Sequence, residues 1–99
     1  MSHLDETMKA AELLLAAADI VSGDRAAKHG DMRECHENIA EIWNAFLRTR
    51  RDPAAPLSGA QVAICMALLK IARSQTGEEN PDDLLDAAGY IAIAEELSE

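Results

Sequence analysis

Aromatic side chains are scarce in this sequence, which has one tryptophan, one tyrosine and one phenylalanine among its 99 residues. A share this low gives little support to a β-sandwich, whereas the abundant alanine and leucine are typical of closely packed helices. Cysteine is scarce as well, and two cysteines at apolar positions do not make a disulfide framework. The default expectation is therefore a reduced, cytoplasmic protein.

Basic residues are also few, since nine Lys and Arg stand against eighteen Asp and Glu, and the formal net charge is −9. Proteins that bind duplex nucleic acid neutralise its phosphates with Lys and Arg, so this charge argues against that function. The N-terminus has no basic region followed by a continuous apolar core, and no signal peptide is expected. No apolar run is long enough to predict a transmembrane helix, so no membrane partner is expected.

The stretch Leu57–Gly77 predicts the central element of the fold. Ser58 can cap a helix, and Gln61, three residues later, can complete a capping box. Gly77 is a natural stop. Apolar side chains surround this helix, which indicates burial on several faces; they are Val62, Ile64, Cys65, Met66, Leu68, Leu69 and Ile71. We therefore predict an all-α, four-helix bundle-like single domain over residues 1–99, with a buried third helix and a core small enough to favour a homo-oligomer.

Three further helices complete the predicted bundle. The first runs from Ser2 to Val21, the second follows a cap at Asp31, and the fourth spans Pro81–Leu97. A glycine within a helix costs about 1 kcal/mol relative to alanine, so Gly89 predicts that another helix crosses closely there. The expected buried side of the fourth helix consists of Leu84, Leu85, Ala88, Ile91, Ile93 and Leu97.

Carboxylates follow the predicted starts of the second and fourth helices. Asp31 and Glu34 fit a capping box, and Asp82 is a first-turn acid that complements the helix dipole, so each has a structural explanation. Asp86 is harder to explain in this way, because it begins a stripe that continues through Tyr90. Carboxylate oxygens suit Mg²⁺. The alternative to solvated or capping acids is therefore a magnesium site formed by Asp31, Glu34, Asp82 and Asp86.

Cations lie close to these acids in the predicted topology. Lys70 and Arg73 occupy one face at the end of the third helix, where they either extend to water, pair with the acids, or bind phosphate. The short connection to the fourth helix makes the two helices antiparallel neighbours, which brings both clusters to one end. Arg25 and His29 lie in a polar segment bracketed by glycines, which is either a simple connection or a loop that closes on a ligand.

Ordered motifs then point to a family. The stretches GDRAAKHGDMRE, IAEIW, MALLKIAR and DDLLDAAGY resemble small phage and bacterial proteins grouped as a domain of unknown function. The resemblance extends from about Asp19 to Ala94. This chain departs from the family at Cys35, where asparagine is usual, and at His36, where an aromatic is usual. The resemblance implies a phage setting in the cytoplasm of a bacterial host cell and marks site positions, but it implies no reaction.

A more distant likeness is to the MazG-type all-α nucleotide pyrophosphohydrolases, whose paired acidic motifs hold Mg²⁺ and a nucleoside triphosphate. Glu34-x-x-Glu37 and Asp83-x-x-Asp86 are similar to those pairs. A whole helix separates the two pairs here, which departs from that pattern.

Three functions remain open from the sequence, and whether the protein is an enzyme is undecided. The leading hypothesis is a nucleotide-directed helical phage protein, in its sharpest form a Mg²⁺-dependent pyrophosphohydrolase. Its ligand, a nucleotide or another phosphate-bearing small molecule, would contact Arg25, His29, Lys70, Arg73 and Tyr90. A non-catalytic sponge that sequesters a nucleotide signal is the first alternative. A helical interaction module, with all these charges at the surface, is the second.

Overall fold

The computed structural model describes residues 3–23 and 31–98, whose regular structure is entirely α-helical. Helix α1 spans His3–Ser22, α2 Met32–Thr49, α3 Gly59–Arg73 and α4 Asp82–Leu97. The all-α prediction of four helices is confirmed. None of the helices in the described part of the chain is long and apolar enough to cross a membrane.

The start of α3 is fixed by the predicted capping box. The Gln61 backbone N–H donates to Ser58 Oγ at 3.2 Å, and the Ser58 N–H donates to Gln61 Oε1 at 3.1 Å. These bonds satisfy helix N–H groups that have no partner within the helix itself. Gln61 Oε1 also accepts from Arg50 Nη1 at 3.0 Å. The end of α2 is thereby tied to the beginning of α3.

Helix α2 packs antiparallel to α3, and the larger side chains of the core lie at this contact. Cys35, Ile39 and Ala72 are buried together, with Ile42, Trp43 and Leu69 packed around them. Trp43 Nε1 donates to the Cys65 carbonyl at 2.7 Å, in the middle of the interface. Thr76 Oγ1 lies 3.8 Å from Cys35 Sγ, so the start of α2 adjoins the segment that follows α3.

Helix α4 packs antiparallel on another face of α3, and alanine lines this contact. Ala60, Ala63 and Ala67 are buried on α3 at the spacing of a single helix face, and Ala87 and Ala94 are buried on α4. Ala67 has no exposed surface at all. Side chains this small allow two helices to approach closely. Five of the buried residues belong to α3, which confirms the buried central helix; they are Ala60, Ala63, Cys65, Ala67 and Ala72.

The predicted buried side of α4 is wrong. Its large apolar residues are between 48% and 69% exposed, because the alanine stripe, rather than the leucine and isoleucine side chains, faces α3. The close helix crossing predicted at Gly89 is also absent from the described part of the chain, where a Cβ at Gly89 would meet nothing within 4 Å. The residues left exposed are Leu84, Leu85, Ile91, Ile93 and Leu97.

Helix α1 leaves its described apolar side chains exposed. Leu13, Leu14 and Leu15 each expose 69–70% of their surface, and α1 forms no extensive contact with the other described helices. The radius of gyration is 17.3 Å, compared with about 13 Å for a compact chain of this length. Among the described residues, the most closely packed unit is therefore the layer of α2, α3 and α4.

Replacing Trp43 tests the α2–α3 interface. We expect Trp43→Phe to lower the free energy of unfolding by about 1 kcal/mol, because it keeps most of the packing but loses the bond to the Cys65 carbonyl. Trp43→Ala should cost about 2 kcal/mol or more, since the packing is lost as well. Urea denaturation followed by circular dichroism measures both values. Unchanged stability of Trp43→Phe would show that the hydrogen bond contributes nothing.

A matched pair of substitutions tests the alanine contact. Ala67→Leu should destabilise the protein by about 1–3 kcal/mol, because α3 and α4 leave no space for a larger side chain. Ala88→Leu, at an exposed position of α4, should leave the thermal midpoint nearly unchanged. Equal midpoints for the two variants would mean that the helices are not closely packed at Ala67.

Burial also affects the thiol of Cys65 on α3. Burial raises the pKa of this thiol, although the charge of Arg50 offsets part of the effect. A raised pKa in the folded state gives stability that is present below the thiol's unfolded pKa and is lost as the pH rises through the folded pKa. The stability advantage of the wild type over Cys65→Ala should therefore shrink between neutral pH and about pH 10. Urea denaturation at several pH values measures this difference in stability. A difference that grows with pH would contradict the raised pKa of Cys65.

Candidate functional site

An ion pair joins the end of α3 to the start of α4. Lys70 Nζ lies 3.1 Å from Asp86 Oδ2, and their side chains are 20% and 44% exposed. The two helices are antiparallel and joined by a short connection, so the cationic end of one adjoins the acidic start of the other. The predicted proximity of these clusters is confirmed for this pair.

Tyr90 lies one turn after Asp86 and completes a small constellation. A shallow depression of about 360 Å³ has the ion pair and the tyrosine on its lining. Three residues predicted from the sequence, Lys70, Asp86 and Tyr90, thus meet at one place. The full lining is Lys70, Leu85, Asp86, Gly89, Tyr90 and Ile93.

Arg73, also predicted to bind a ligand, does not line this depression. Its Nε is buried and has no hydrogen-bond partner among the described residues. A buried guanidinium N–H without an acceptor is unfavourable, and a carboxylate or phosphate oxygen is the kind of acceptor that would satisfy it. Arg73 and Lys70 both lie in the last turn of α3. Only Lys70 lines the depression.

Asp83 is a residue whose position the sequence interpretation missed. It lies in the first turn of α4 next to Asp82, which is exposed, yet only 3% of Asp83 is accessible. The signal that identifies its burial is helical spacing, because Asp83 precedes Ala87 by one turn and lies on the same stripe as Ala94. The face of α4 that contacts α3 therefore begins with a carboxylate.

The acids at the start of α2 have other partners. Asp31 Oδ1 accepts from the Arg33 backbone N–H at 3.0 Å, which confirms its capping role, and Glu34 is exposed in the first turn. The starts of α2 and α4 lie at the same end of the layer, but they adjoin different faces of α3.

The predicted magnesium ligands are not assembled in the described part of the chain. No group of three or more His, Cys, Asp or Glu side chains there is arranged to hold a metal ion. A role with Mg²⁺ for Asp31, Glu34, Asp82 and Asp86 stays a prediction. Arg25 and His29 fall within 24–30, outside the described residues, so a ligand-closing loop also stays a prediction.

Comparison with known proteins gives a family and a biological setting. The chain is 36% identical over 85 residues to the Gene 55 protein of Mycobacterium phage L5, a match that covers 86% of this chain and 51% of the relative. It is 30% identical over 87 residues to the Gene 55 protein of Mycobacterium phage D29, covering 88% of this chain and 54% of that relative. The chain therefore spans about half the length of the curated relatives it matches.

The matched names state no activity, so they support neither the MazG-type likeness nor nucleotide chemistry. No solved structure matches the chain. The family's sequence model, described as a domain of unknown function, aligns with residues 12–98 and includes all four stretches that resembled a phage family. Because that alignment covers most of the sequence, the chain belongs to the family Domain of unknown function (DUF6378).

Proposed function

We propose that this phage-family chain binds a nucleotide or another phosphate-bearing small molecule in the depression at Lys70, Asp86 and Tyr90. The observation that carries the proposal is the 3.1 Å ion pair between Lys70 and Asp86 in the same depression as Tyr90. Ammonium, carboxylate and phenol groups thus share one surface between α3 and α4.

Each of these groups matches part of such a ligand. The Lys70 ammonium is a compact charge with three donors, which suits a phosphate group. Asp86 orients that ammonium and remains partly exposed. The Tyr90 ring offers a stacking surface for a base, and Leu85 and Ile93 supply apolar walls. A volume of about 360 Å³ is within the range of small-molecule sites.

Magnesium fits this proposal only as a companion of the ligand. Mg²⁺ is usually bound by one or two carboxylates together with substrate phosphates, rather than by an all-protein cage. Among the described residues, the depression offers one carboxylate, Asp86. We therefore favour sequestration of a phosphate-bearing molecule over its hydrolysis, and the pyrophosphohydrolase hypothesis remains the alternative that turnover would support.

A second candidate is the helical interaction module. The observation in its favour is the exposure of large apolar side chains on two helices, with Leu13, Leu14 and Leu15 on α1 and Leu84 and Leu85 on α4. Exposed apolar faces of this kind can mark contact with another macromolecule.

Removing the cation tests the binding proposal. Lys70→Met keeps the length of the side chain but removes its charge, so affinity for ATP and for inorganic triphosphate should fall at least tenfold, about 1.4 kcal/mol. Arg48→Met, at an exposed position of α2, removes one positive charge elsewhere and should leave affinity within twofold. Isothermal titration calorimetry with and without Mg²⁺ measures both. Equal losses of affinity in the two variants would mean that binding depends on the overall charge of the protein and not on Lys70.

Removing the carboxylate separates a binding site from a surface ion pair. Asp86→Asn keeps the size and one acceptor of the side chain, so the fold should persist with a stability change below about 1 kcal/mol. Affinity for Mg²⁺–ATP should fall tenfold or more, or any pyrophosphate release should cease. Glu95→Gln, an exposed acid on the same helix, is the matched control. If Asp86→Asn leaves affinity and turnover unchanged, Asp86 is a surface acid and the site fails.

A further inference from the structure

We infer that the depression at Lys70, Asp86 and Tyr90 selects a nucleoside phosphodiester, whose phosphate carries a single negative charge, over nucleotides with a monoester or a polyphosphate group. This inference rests on the proposed function, because it names the class of ligand for the same site. The charges that line and surround the depression support it.

The ion pair leaves the described lining of the depression without net charge. Among the described residues that line it, Lys70 is the one cation and Asp86 the one acid. Lys70 Nζ and Asp86 Oδ2 are 3.1 Å apart, so at the distance of a bound ligand each charge offsets most of the other's potential. The lining therefore offers directed hydrogen bonds to a phosphate, but little positive potential to neutralise more than one negative charge.

Both members of the pair keep hydrogen-bonding capacity for a ligand. A lysine ammonium has three donors, and the bond to Asp86 uses one of them. The ion pair is formed through Asp86 Oδ2, so Oδ1 of the same carboxylate provides a further acceptor. Lys70 can thus donate to a phosphate oxygen while Asp86 accepts from a ribose hydroxyl or a base N–H. A nucleoside phosphate supplies both kinds of group, whereas inorganic polyphosphate supplies acceptors alone.

Acids outnumber cations in the segment that contains the site. From residue 70 to residue 90, the sequence has five acids and two cations, and the whole chain carries a net charge of −9. Every negative charge that a ligand carries beyond the first meets this repulsive potential, and the described lining has no second cation to offset it. The acids are Glu78, Glu79, Asp82, Asp83 and Asp86, and the cations are Lys70 and Arg73.

Uncharged contacts then have to supply most of the affinity. Tyr90 offers a ring for stacking, and Leu85 and Ile93 are apolar parts of the lining. A phosphate monoester carries about 1.5–2 negative charges at neutral pH, whereas a diester carries one for each phosphate. The diester therefore keeps the contacts of the nucleoside and meets the least repulsion.

Magnesium changes this order of affinities in a defined direction. Mg²⁺ binds the phosphates of a nucleotide and neutralises part of their charge. It should therefore strengthen the binding of ATP and leave the binding of a diester nearly unchanged. Measurements without Mg²⁺ isolate the effect of the ligand's own charge.

Isothermal titration calorimetry of the whole chain, in low NaCl with EDTA, compares ligands that share adenosine. We expect cyclic AMP to bind at least fivefold more tightly than AMP and at least tenfold more tightly than ATP. A dinucleoside monophosphate of adenosine, which is also a singly charged diester, distinguishes a linear ligand from a cyclic one. Binding of AMP or ATP at least as tight as that of both diesters would overturn the inference and leave the proposed function standing. If none of the four ligands binds, with or without Mg²⁺, the proposed function fails.

Ionic strength provides a second readout on the unmodified protein. Salt screens the repulsion between the acidic protein and ATP, so the ratio of the affinities for cyclic AMP and ATP should shrink as NaCl is raised. Competition by chloride at Lys70 affects both ligands and cancels in this ratio. A ratio that grows with salt would show that the protein attracts the charge of ATP, which contradicts the inference.

Asp86→Asn tests the neutrality of the lining directly, because it leaves the charge of Lys70 without its partner. In buffer free of Mg²⁺, the variant should lower the ratio of cyclic AMP affinity to ATP affinity at least threefold. Glu95→Gln, at an exposed position of α4, removes one negative charge elsewhere and should leave the ratio nearly unchanged. Circular dichroism checks that both variants fold. An equal change of the ratio in the two variants would refute selection by the ion pair.

Discussion

The alanine-lined contact between α3 and α4 determines the rest of this structure. Ala63 and Ala67 on one helix and Ala87 on the other allow the backbones to approach closely, and this approach orients every other side chain of α4. It places Asp86 beside Lys70 at the edge of the contact. It also turns the leucine and isoleucine side chains of α4 outward, so the ion pair and the exposed apolar stripe result from the same packing.

Local signals in the sequence predicted the helices well, because capping and termination depend on a few neighbouring residues. Ser58 and Gln61 specify the start of α3, and Asp31 specifies that of α2. The buried face of α4 was not predictable in this way. Hydrophobicity ranks leucine above alanine, whereas close helix packing selects the smaller residue, and the apolar residues of α4 are distributed around the whole helix.

The candidate site was predictable where it depends on topology. A short connection between antiparallel helices brings Lys70 near Asp86, and helical spacing adds Tyr90 one turn later. A shared role with Mg²⁺ for Asp31, Glu34, Asp82 and Asp86 stays a prediction, because motifs do not position one helix relative to another. Asp31 bonds to its own helix terminus, and α2 and α4 lie on different faces of α3, so acids close to one end of the layer are still not gathered around one point. The burial of Asp83 follows from periodicity instead of charge.

Trp43 gives the protein an unusual spectroscopic property. It is the single tryptophan, and its indole donates to the Cys65 carbonyl at the centre of the α2–α3 interface. Tryptophan fluorescence therefore reports on that interface and is insensitive to α1 and to the outer face of α4. Circular dichroism averages over all helices. The two signals coincide during unfolding only if the layer and α1 lose structure together, so their divergence measures how independently the first helix melts.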